Sequence, residues 1–367
     1  MQANNNLLFS QMKKLLQSGA VLPSGLVADR LKLAKNLENL NNFIKITTDV
    51  AQEQAKQSDS RYQQAFGPVK NIWGSKYMKV KTDSDECETP KHNKNDFYVS
   101  GGSSGGCAVS VASGITFISV ASDSGGSVRM PASYCGIVGL KPSYGRLSRY
   151  GLIPLVNSLD CPGILARKVD DARIAFNILA GFDPLDPTSS KDIFIPVRDE
   201  IIDIKKFKVG VPQEYHCDRL SREVVEVWGI VADLLETAGA KVVKVRRLIA
   251  RDYLRVWESG VDALITPITL TEAPTYSWYM SKESWEHSVA QDFCCPSVNL
   301  AGLPAISIPI KLSRKGLPLS LQIITPIYRE DVLLAIARWI ENVVDFPKLE
   351  VQINDDNDDD EECKEEI

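Results

Sequence analysis

The sequence predicts an α/β fold built on a parallel or mixed β-sheet. The clearest support is a strand pattern at 207–212, an amphipathic helix over 221–238 and a second strand over Lys241–Val245. Gly239 follows the helix, as a glycine commonly does at a helix end. A strand, a helix and a second strand in this order form a βαβ unit, whose two strands lie parallel in one sheet.

Further elements follow from helical and strand periodicities along the chain. The predicted helices cover Cys107–Ser113, Leu165–Leu179 and Asp331–Val343, and the predicted strands cover Ile115–Val120, Gly136–Leu140, Asp262–Thr266 and Ala305–Pro309. Residues 5–64 have a helical pattern, and residues 68–98 have the polar pattern of an exposed excursion. The predicted domains are a helical region over 1–64, a main domain over 65–350 and an acidic disordered tail over 351–367.

Composition and charge exclude several classes of function. The chain has 367 residues, of which 44% are hydrophobic and 24% charged, and no apolar run is long enough to span a bilayer. The net charge of −5 comes from the tail, where residues 355–366 hold nine acidic residues and one lysine. The rest of the chain is near neutral and lacks the basic stripe of a protein that binds nucleic acid by itself.

Cysteines and histidines indicate neither a metal site nor a histidine-based triad. The eight cysteines are scattered without a CxxC pair, which argues against structural zinc and against a disulfide framework. Cys135 and Cys161 lie among apolar residues and are expected in the core. The three histidines are His92, His216 and His287, and none lies in a catalytic setting. No metal is therefore expected.

Two runs rich in glycine and serine carry the strongest signal for chemistry. Residues 101–106 read Gly-Gly-Ser-Ser-Gly-Gly, and residues 122–127 read Ser-Asp-Ser-Gly-Gly-Ser. Glycines beside serines let the backbone approach a ligand closely and leave N–H groups for a developing oxyanion. A flexible linker does not fit, because apolar strand and helix patterns follow the runs. A phosphate loop does not fit either, because its GKS/T ending and its G-x-G-x-x-G spacing are both missing.

The stretch from Gly101 to Pro142 resembles the amidase signature family. Ser103 and Ser127 are 24 positions apart, which is the spacing of that family's pair of serines. The similarity continues over residues 148–154, 157–160, 244–249, 262–267 and 299–307. It extends over nearly the whole chain, to about residue 350. The resemblance implies a mixed β-sheet covered by helices on both faces.

The resemblance also implies roles for single residues. Ser127 is similar to the nucleophile that forms the acyl-enzyme, and Ser103 matches a serine that follows a cis peptide bond and relays the proton. A lysine acting through the relay serine takes the part that histidine plays in a Ser-His-Asp triad. Three further residues, Ser124, Gly125 and Gly126, are implied as donors to the oxyanion. On the substrate side, Asp292 is implied to hold the amino group of glutamine, and Ser104 together with Asp123 to support the loop.

Within the family, the sequence is most similar to the mitochondrial branch that works in tRNA-dependent amidation. This similarity implies a glutaminase that releases ammonia from glutamine. The ammonia passes to a B subunit, which uses ATP and Mg to amidate Glu-tRNA(Gln), in a complex with a C subunit. The implied location is the mitochondrial matrix. No cofactor is expected on this chain, no membrane contact is expected, and tRNA is expected to be reached only through the complex.

Two blocks typical of the family are missing from the sequence. The family's catalytic lysine lies in a segment that reads L-D-G-I-P-I-A-x-K-D, and the chain skips that segment between about residues 62 and 66. Lys70 falls at a different family position and is expected to be a solvated loop residue. A second block, with a tyrosine and an arginine that hold the substrate, is missing near Lys244.

The missing lysine leaves three interpretations of the function. The first is the glutaminase subunit itself. The second is a catalytically impaired splice variant or pseudoenzyme that only binds the partner subunits, because Ser127 without a base is an ordinary alcohol. The third is a stand-alone amidase acting on another small amide, which the similarity of the C-terminal part disfavours.

Overall fold

The computed structural model describes residues 69–75, 77–80, 96–245, 250–281, 292–347 and 349–351. The predicted helical region over 1–64 lies outside these residues, and so does the predicted tail over 351–367 except for Val351, which belongs to a strand. None of the helices in the described part is long and apolar enough to cross a membrane.

Ten strands and eight α-helices are found in the described residues. The strands are β1 (Met78–Val80), β2 (Ile118–Asp123), β3 (Val138–Lys141), β4 (Cys161–Ala166), β5 (Lys208–Pro212), β6 (Lys241–Val245), β7 (Ala263–Pro267), β8 (Ala305–Leu312), β9 (Pro318–Ile324) and β10 (Leu349–Val351). The helices are α1 (Gly105–Ala112), α2 (Arg129–Cys135), α3 (Val169–Leu179), α4 (Arg222–Thr237), α5 (Ala250–Glu258), α6 (Tyr276–Tyr279), α7 (Pro296–Leu300) and α8 (Glu330–Val344).

Eight of these strands form one mixed sheet in the order β2-β4-β3-β8-β9-β7-β5-β6. The strand β5 pairs in parallel with both β6 and β7, whereas the other pairs in this sheet are antiparallel. The parallel pairing of β5 and β6 confirms the predicted βαβ unit. The strands β1 and β10 form a separate antiparallel pair.

Helices cover both faces of the sheet, as the resemblance implies. On one face, α3, α4 and α8 pack against the sheet around a core that includes Phe176, Trp228 and Leu333. On the other face, α1 and α2 enclose a second core that includes Val109 and Ala132. The apolar stripe of each helix faces the sheet, because a one-sided apolar surface is stable only when another layer buries it.

The helix α4 shows how closely its sequence pattern determines its ends. The Ser221 hydroxyl accepts a hydrogen bond from the N–H of Val224 at 3.2 Å and so caps the first turn. Gly239 follows the helix with φ of +96°, in the region that favours glycine. The observed span Arg222–Thr237 differs from the predicted 221–238 only by the two caps, Ser221 and Ala238.

Two fully buried strands correct the predicted elements. The predicted helix Leu165–Leu179 begins at Val169, because Leu165 belongs to β4. The strand β9 had no counterpart in the prediction. Every residue of β4 and β9 is buried. The strand β4 therefore lacks the alternation of apolar and polar residues that marks a half-exposed strand. In β9, the polar residues Ser320 and Gln322 are buried and hydrogen-bonded inside the fold.

The predicted exposed excursion over 68–98 is wrong at Ile72 and Trp73, which are buried in the second core. The indole N–H of Trp73 donates to the carbonyl of Cys135 at 2.9 Å. Cys135 and Cys161 are themselves buried and free, as expected. Residues 72 and 73 are therefore part of the packed body.

Glu341 on α8 has a largely enclosed carboxylate, with 12% of its side chain exposed, and weak compensation of its charge. It accepts a hydrogen bond from the N–H of Val169 at 3.1 Å, and the ammonium of Lys168 lies 4.0 Å away. Burial, only partly offset by Lys168, raises the pKa of Glu341 from 4.5 to about 7. The folded chain therefore binds this proton more tightly than the unfolded chain does.

We expect Glu341→Gln to stabilise the protein above neutral pH. A carboxyl whose pKa is raised by folding loses stability as pH rises from its unfolded toward its folded value. The advantage of the variant in the free energy of unfolding should thus grow between pH 4.5 and 7 and level off at no more than about 3 kcal/mol. Urea titrations at pH 5 and pH 8 measure it, with the exposed Glu226→Gln as control. An equal advantage at both pH values would contradict the prediction.

Candidate active site

The two serine runs meet beside the end of β2. The first run leads into α1, and the second connects β2 to α2. The N–H of Ser104 donates to the carbonyl of Ser127 at 3.2 Å, and its hydroxyl donates to the carbonyl of Ser122 at 3.4 Å. The structure thus brings together two segments that are about twenty residues apart in the sequence.

Both predicted catalytic serines face accessible space. Ser103 is exposed and Ser127 is half-buried, and neither hydroxyl has a hydrogen-bond partner among the described residues. The peptide bond between Gly102 and Ser103 is cis, as the resemblance implies. A Cβ atom added at Gly102 or Gly125 would meet nothing within 4 Å. The two loops therefore leave room for a small substrate.

Asp123, the last residue of β2, anchors the second serine loop. Its carboxylate is fully buried and accepts hydrogen bonds from the N–H of Gly126 at 2.8 Å and from the N–H of Val128 at 3.2 Å. It also forms a two-pronged ion pair with Arg129, with both N–O distances at 2.9 Å. A loop held at three points on one carboxylate has little freedom to move.

The charge on Asp123 is retained in spite of its burial. Burial by itself raises the pKa of the Asp123 carboxyl, but the charge and hydrogen bonds of Arg129 outweigh it and hold the pKa below its usual value. The pKa of Arg129 is raised: burial opposes the charge of its guanidinium, and Asp123 more than compensates. Both groups are therefore ionised at neutral pH.

A wider polar network surrounds this ion pair. Arg129 donates to the side-chain oxygens of Gln322 and Asn299. The amide of Asn299 in turn donates to the carbonyl of Asp123 at 2.9 Å, and the amide of Gln322 donates to Thr266 at 3.0 Å. The network joins β2, α2, α7, β9 and β7, so the loop is attached to the centre of the sheet. The sequence reasoning did not identify Arg129, Asn299 or Gln322; an arginine beside the second serine run was the one available signal.

Only part of the predicted oxyanion hole has the expected geometry. The N–H of Gly126 donates to Asp123 and thus belongs to the anchor of the loop. The N–H groups of Ser124, Gly125 and Ser127 have no acceptor within the described part of the chain. An oxyanion at this loop would accept hydrogen bonds from these three donors, with Ser127 in place of the predicted Gly126.

Asp160 holds the rim of the loop. Its carboxylate accepts a hydrogen bond from the Ser124 hydroxyl and others from the N–H groups of Leu155, at 2.8 Å, and Val156. Although burial raises the pKa of Asp160, these hydrogen bonds lower it below the usual value. In the sequence, Asp160 belonged only to a stretch that resembles the family, and its contact with Ser124 gives it a structural role at the site.

Asp292, the predicted substrate residue, lies outside the residues whose side chains are described. Its backbone begins a 3-10 helix over Asp292–Cys294. Cys295, which follows, lies against Gly126, because a Cβ at that glycine would be 2.9 Å from the Cβ of Cys295. The segment that carries Asp292 is thus a direct neighbour of the nucleophile loop.

No lysine or histidine hydrogen-bonds to Ser103 or Ser127 within the described residues. The ammonium of Lys70 lies 5.3 Å from the centre of the Phe97 ring. Lys141 is buried, donates to the carbonyl of Pro142 at 3.0 Å and has a pKa lowered by burial. The His216 ring packs on Trp228 at 4.6 Å, whereas His92 and His287 lie outside the described residues. No cluster of three metal-ligating residues is present in the described part.

Comparison with known proteins identifies the class of this enzyme. The family model "Amidase" matches residues 76–247 and 243–334, so the chain belongs to the amidase family and is an enzyme of the amidase and amidotransferase class. The family model matches in two parts, which overlap at residues 243–247, at the end of β6. This position agrees with the predicted loss of a block near Lys244.

The most similar relatives define the branch more closely. The chain is 39% identical to the A subunit of the mitochondrial glutamyl-tRNA(Gln) amidotransferase of Pediculus humanus subsp. corporis, over 78% of this chain and 73% of the relative. It is 32% identical to the protein of the same name from Drosophila pseudoobscura pseudoobscura, over 93% of this chain and 96% of the relative. That second alignment runs over 504 residues. The relative therefore carries well over a hundred residues that this chain lacks, as two missing blocks require.

Solved structures support the same assignment. The A subunit of the glutamyl-tRNA(Gln) amidotransferase of Thermotoga maritima superposes with a TM-score of 0.67 and 28% identity, over 80% of this chain and 73% of that one. A 6-aminohexanoate cyclic dimer hydrolase superposes with a TM-score of 0.69 at 21% identity, over 93% of this chain and 98% of that one. The second likeness shows the fold alone. The predicted amidase signature fold is confirmed.

We expect Gly126→Ala to distort the nucleophile loop and Gly125→Ala to be tolerated. Gly126 has φ of +126°, and a Cβ there would lie 2.9 Å from the Cβ of Cys295, whereas a Cβ at Gly125 meets nothing within 4 Å. The first variant should lower the free energy of unfolding by about 1–3 kcal/mol and the second by less than about 0.5 kcal/mol. Urea unfolding of both variants measures the difference. Equal losses would show that the loop is not held as described.

Proposed function

We propose that the chain is a serine amidohydrolase in which Ser127 is the nucleophile and glutamine is the substrate. The observation that carries the proposal is the Ser127 loop. Its hydroxyl is accessible and without a partner among the described residues, its outward N–H groups lack acceptors there, and the buried Asp123–Arg129 pair holds it in place. Such a loop combines a nucleophile with preorganised donors for an oxyanion.

The reaction follows from this arrangement in two steps. The Ser127 oxygen attacks the carboxamide carbon, and the developing oxyanion accepts hydrogen bonds from N–H groups of Ser124, Gly125 and Ser127. Ser103 relays the proton of Ser127 to the departing nitrogen, which leaves as ammonia, and an ester on Ser127 remains. Water then attacks that ester and releases glutamate, with the proton moving back through Ser103 to Ser127.

The proton relay determines the rate. A serine hydroxyl at its ordinary pKa is a poor nucleophile, and none of the lysines and histidines in the described residues hydrogen-bonds to Ser103. Loss of one member of a catalytic group costs several orders of magnitude in rate. We therefore expect slow turnover by this chain, in spite of its well-formed nucleophile loop.

The names of the relatives support a narrower function. We propose that the chain is the glutaminase subunit of a Glu-tRNA(Gln) amidotransferase, with Asp292 holding the amino group of glutamine. In this proposal, ammonia passes to a B subunit that uses ATP and Mg to amidate Glu-tRNA(Gln), and a C subunit completes the complex. The word "mitochondrial" in the relatives' names supports a function in mitochondrial translation and a location in the matrix.

A second candidate function is partner binding without catalysis. The observation that favours it is the loss of well over a hundred residues relative to a full-length relative, together with the missing lysine segment. In this case the chain is a splice variant or pseudoenzyme that keeps the fold and the contacts with the partner subunits. The two candidates differ in whether Ser127 becomes acylated.

The test is acylation of Ser127 by a fluorophosphonate probe, together with ammonia release from glutamine, in the chain purified with its B and C partners. We expect slow labelling and slow release, both lost in Ser127→Ala and retained in Ser119→Ala, a matched serine on β2. Labelling without ammonia release would show a nucleophilic Ser127 for which glutamine is not the substrate, whereas a folded complex with neither would favour the second candidate. A folded complex without labelling would contradict a nucleophilic Ser127.

A gain-of-function variant tests the missing base directly. We expect insertion of the lysine-bearing segment of the Pediculus relative between residues 62 and 66 to raise glutaminase turnover by about a thousandfold or more. The same insertion with its lysine changed to alanine is the control. No gain, in a chain that folds with the insertion, would show that the lysine is not what limits Ser127.

A further inference from the structure

A cavity lies away from the two serine runs, between α3, α8 and the segment 193–202. It has a volume of about 610 Å³ and shares no residue with the two serine runs. Apolar side chains form much of its wall, among them Phe176, Phe207 and Leu334. A cavity of this volume and character is within the range of sites for small organic ligands.

Five arginines line this cavity, and four of them are neutralised. Arg173 and Arg338 both contact Asp170 and Asp199. The other two pairs are Arg198 with Glu200 and Arg329 with Asp331. Glu330, a further acid in the lining, accepts a hydrogen bond from the N–H of Ser143 at 2.8 Å and interacts electrostatically with Lys141. Among the described residues, Arg146 is the one arginine of the lining that pairs with no carboxylate.

Arg146 carries the uncompensated charge of the cavity. Its side chain is 91% buried, since 9% is exposed, and its guanidinium lies 4.1 Å from the centre of the Tyr328 ring. One terminal nitrogen donates to the carbonyl of Asp192 at 3.3 Å. The Nε of Arg146 is enclosed by protein. The second terminal nitrogen of Arg146 has no acceptor, and no carboxylate pairs with the guanidinium, within the described residues. A buried donor without an acceptor is costly unless a ligand supplies one.

We propose that this cavity binds a small organic anion that has one carboxylate on an apolar body. The carboxylate accepts a hydrogen bond from the terminal nitrogen of Arg146 that has no acceptor in the described residues, and neutralises the charge of the guanidinium. The apolar body packs against the Tyr328 ring and the walls of the cavity. A single unpaired arginine matches a single negative charge, and the neutralised neighbours do not add a second one. The site is separate from the proposed amidase chemistry.

The test compares phenylacetate with phenylacetamide, which has the same shape without the charge. Binding to the full-length chain is followed by calorimetry up to millimolar concentrations. We expect the dissociation constant of phenylacetate to be at least about tenfold lower than that of phenylacetamide, because the amide loses the charge-assisted hydrogen bond. Inorganic phosphate, an anion without an apolar body, should bind more weakly than phenylacetate.

Two arginine variants locate the site. We expect Arg146→Gln to raise the dissociation constant of phenylacetate about tenfold or more, and Arg329→Gln to leave it nearly unchanged, because Asp331 neutralises Arg329 in the same cavity. Arg146→Lys keeps the positive charge without the guanidinium, and its dissociation constant for phenylacetate should lie between those of the two other variants. If Arg146→Gln does not fold, Ala335→Phe fills the cavity from the half-buried face of α8 and should abolish binding.

Several results would overturn the proposal. They are no saturable binding of phenylacetate, equal binding of the acid and the amide, tighter binding of phosphate, or unchanged binding in both Arg146→Gln and Ala335→Phe. Glutaminase turnover is measured in parallel. Because none of these substitutions touches the serine loops, loss of phenylacetate binding with unchanged turnover would separate this site from the amidase site.

Discussion

The buried ion pair of Asp123 and Arg129 is the interaction on which the geometry of the site depends. Both side chains are fully buried, so removing either partner would leave an uncompensated charge in the core. The remaining hydrogen-bonding capacity of the pair goes to Asn299 and Gln322. The pair therefore joins the nucleophile loop to the central strands, and the loop cannot shift without disturbing the sheet.

This constraint separates the positioning of Ser127 from its activation. The carboxylate of Asp123 accepts a hydrogen bond from the N–H of Gly126, and Cys295 packs against the same glycine. The N–H of Gly126 is bonded to Asp123, whereas the N–H groups of Ser124 and Gly125 make no hydrogen bond to that carboxylate. Ser103 is held beside the second serine run by its neighbour Ser104, whose N–H donates to the carbonyl of Ser127. All of these contacts form without the family's lysine, so the loop keeps its shape although its base is missing.

The position of the second missing block explains how the sheet tolerates its loss. The two parts of the family match meet at residues 243–247, where β6 ends. Within the described residues, β6 is an edge strand that pairs only with β5. Loss of chain after an edge strand leaves every other pair in the sheet intact. The polar network around Arg129 includes residues of β2, β7 and β9, and the nearest of these strands, β7, is separated from β6 by β5.

The sequence by itself determined the α/β class, the βαβ unit, the ends of α4 and the two serine runs, because periodicity, capping residues and glycine-rich motifs are local signals. The tertiary structure alone decided the burial of Trp73, the strands β4 and β9 and the direction of the Gly126 N–H. It also decided the partners of Arg129, since Asn299 and Gln322 lie 170 and 193 residues from it along the chain. The burial of both faces of a strand, and a hydrogen bond across such separations, depend on packing that no local pattern records.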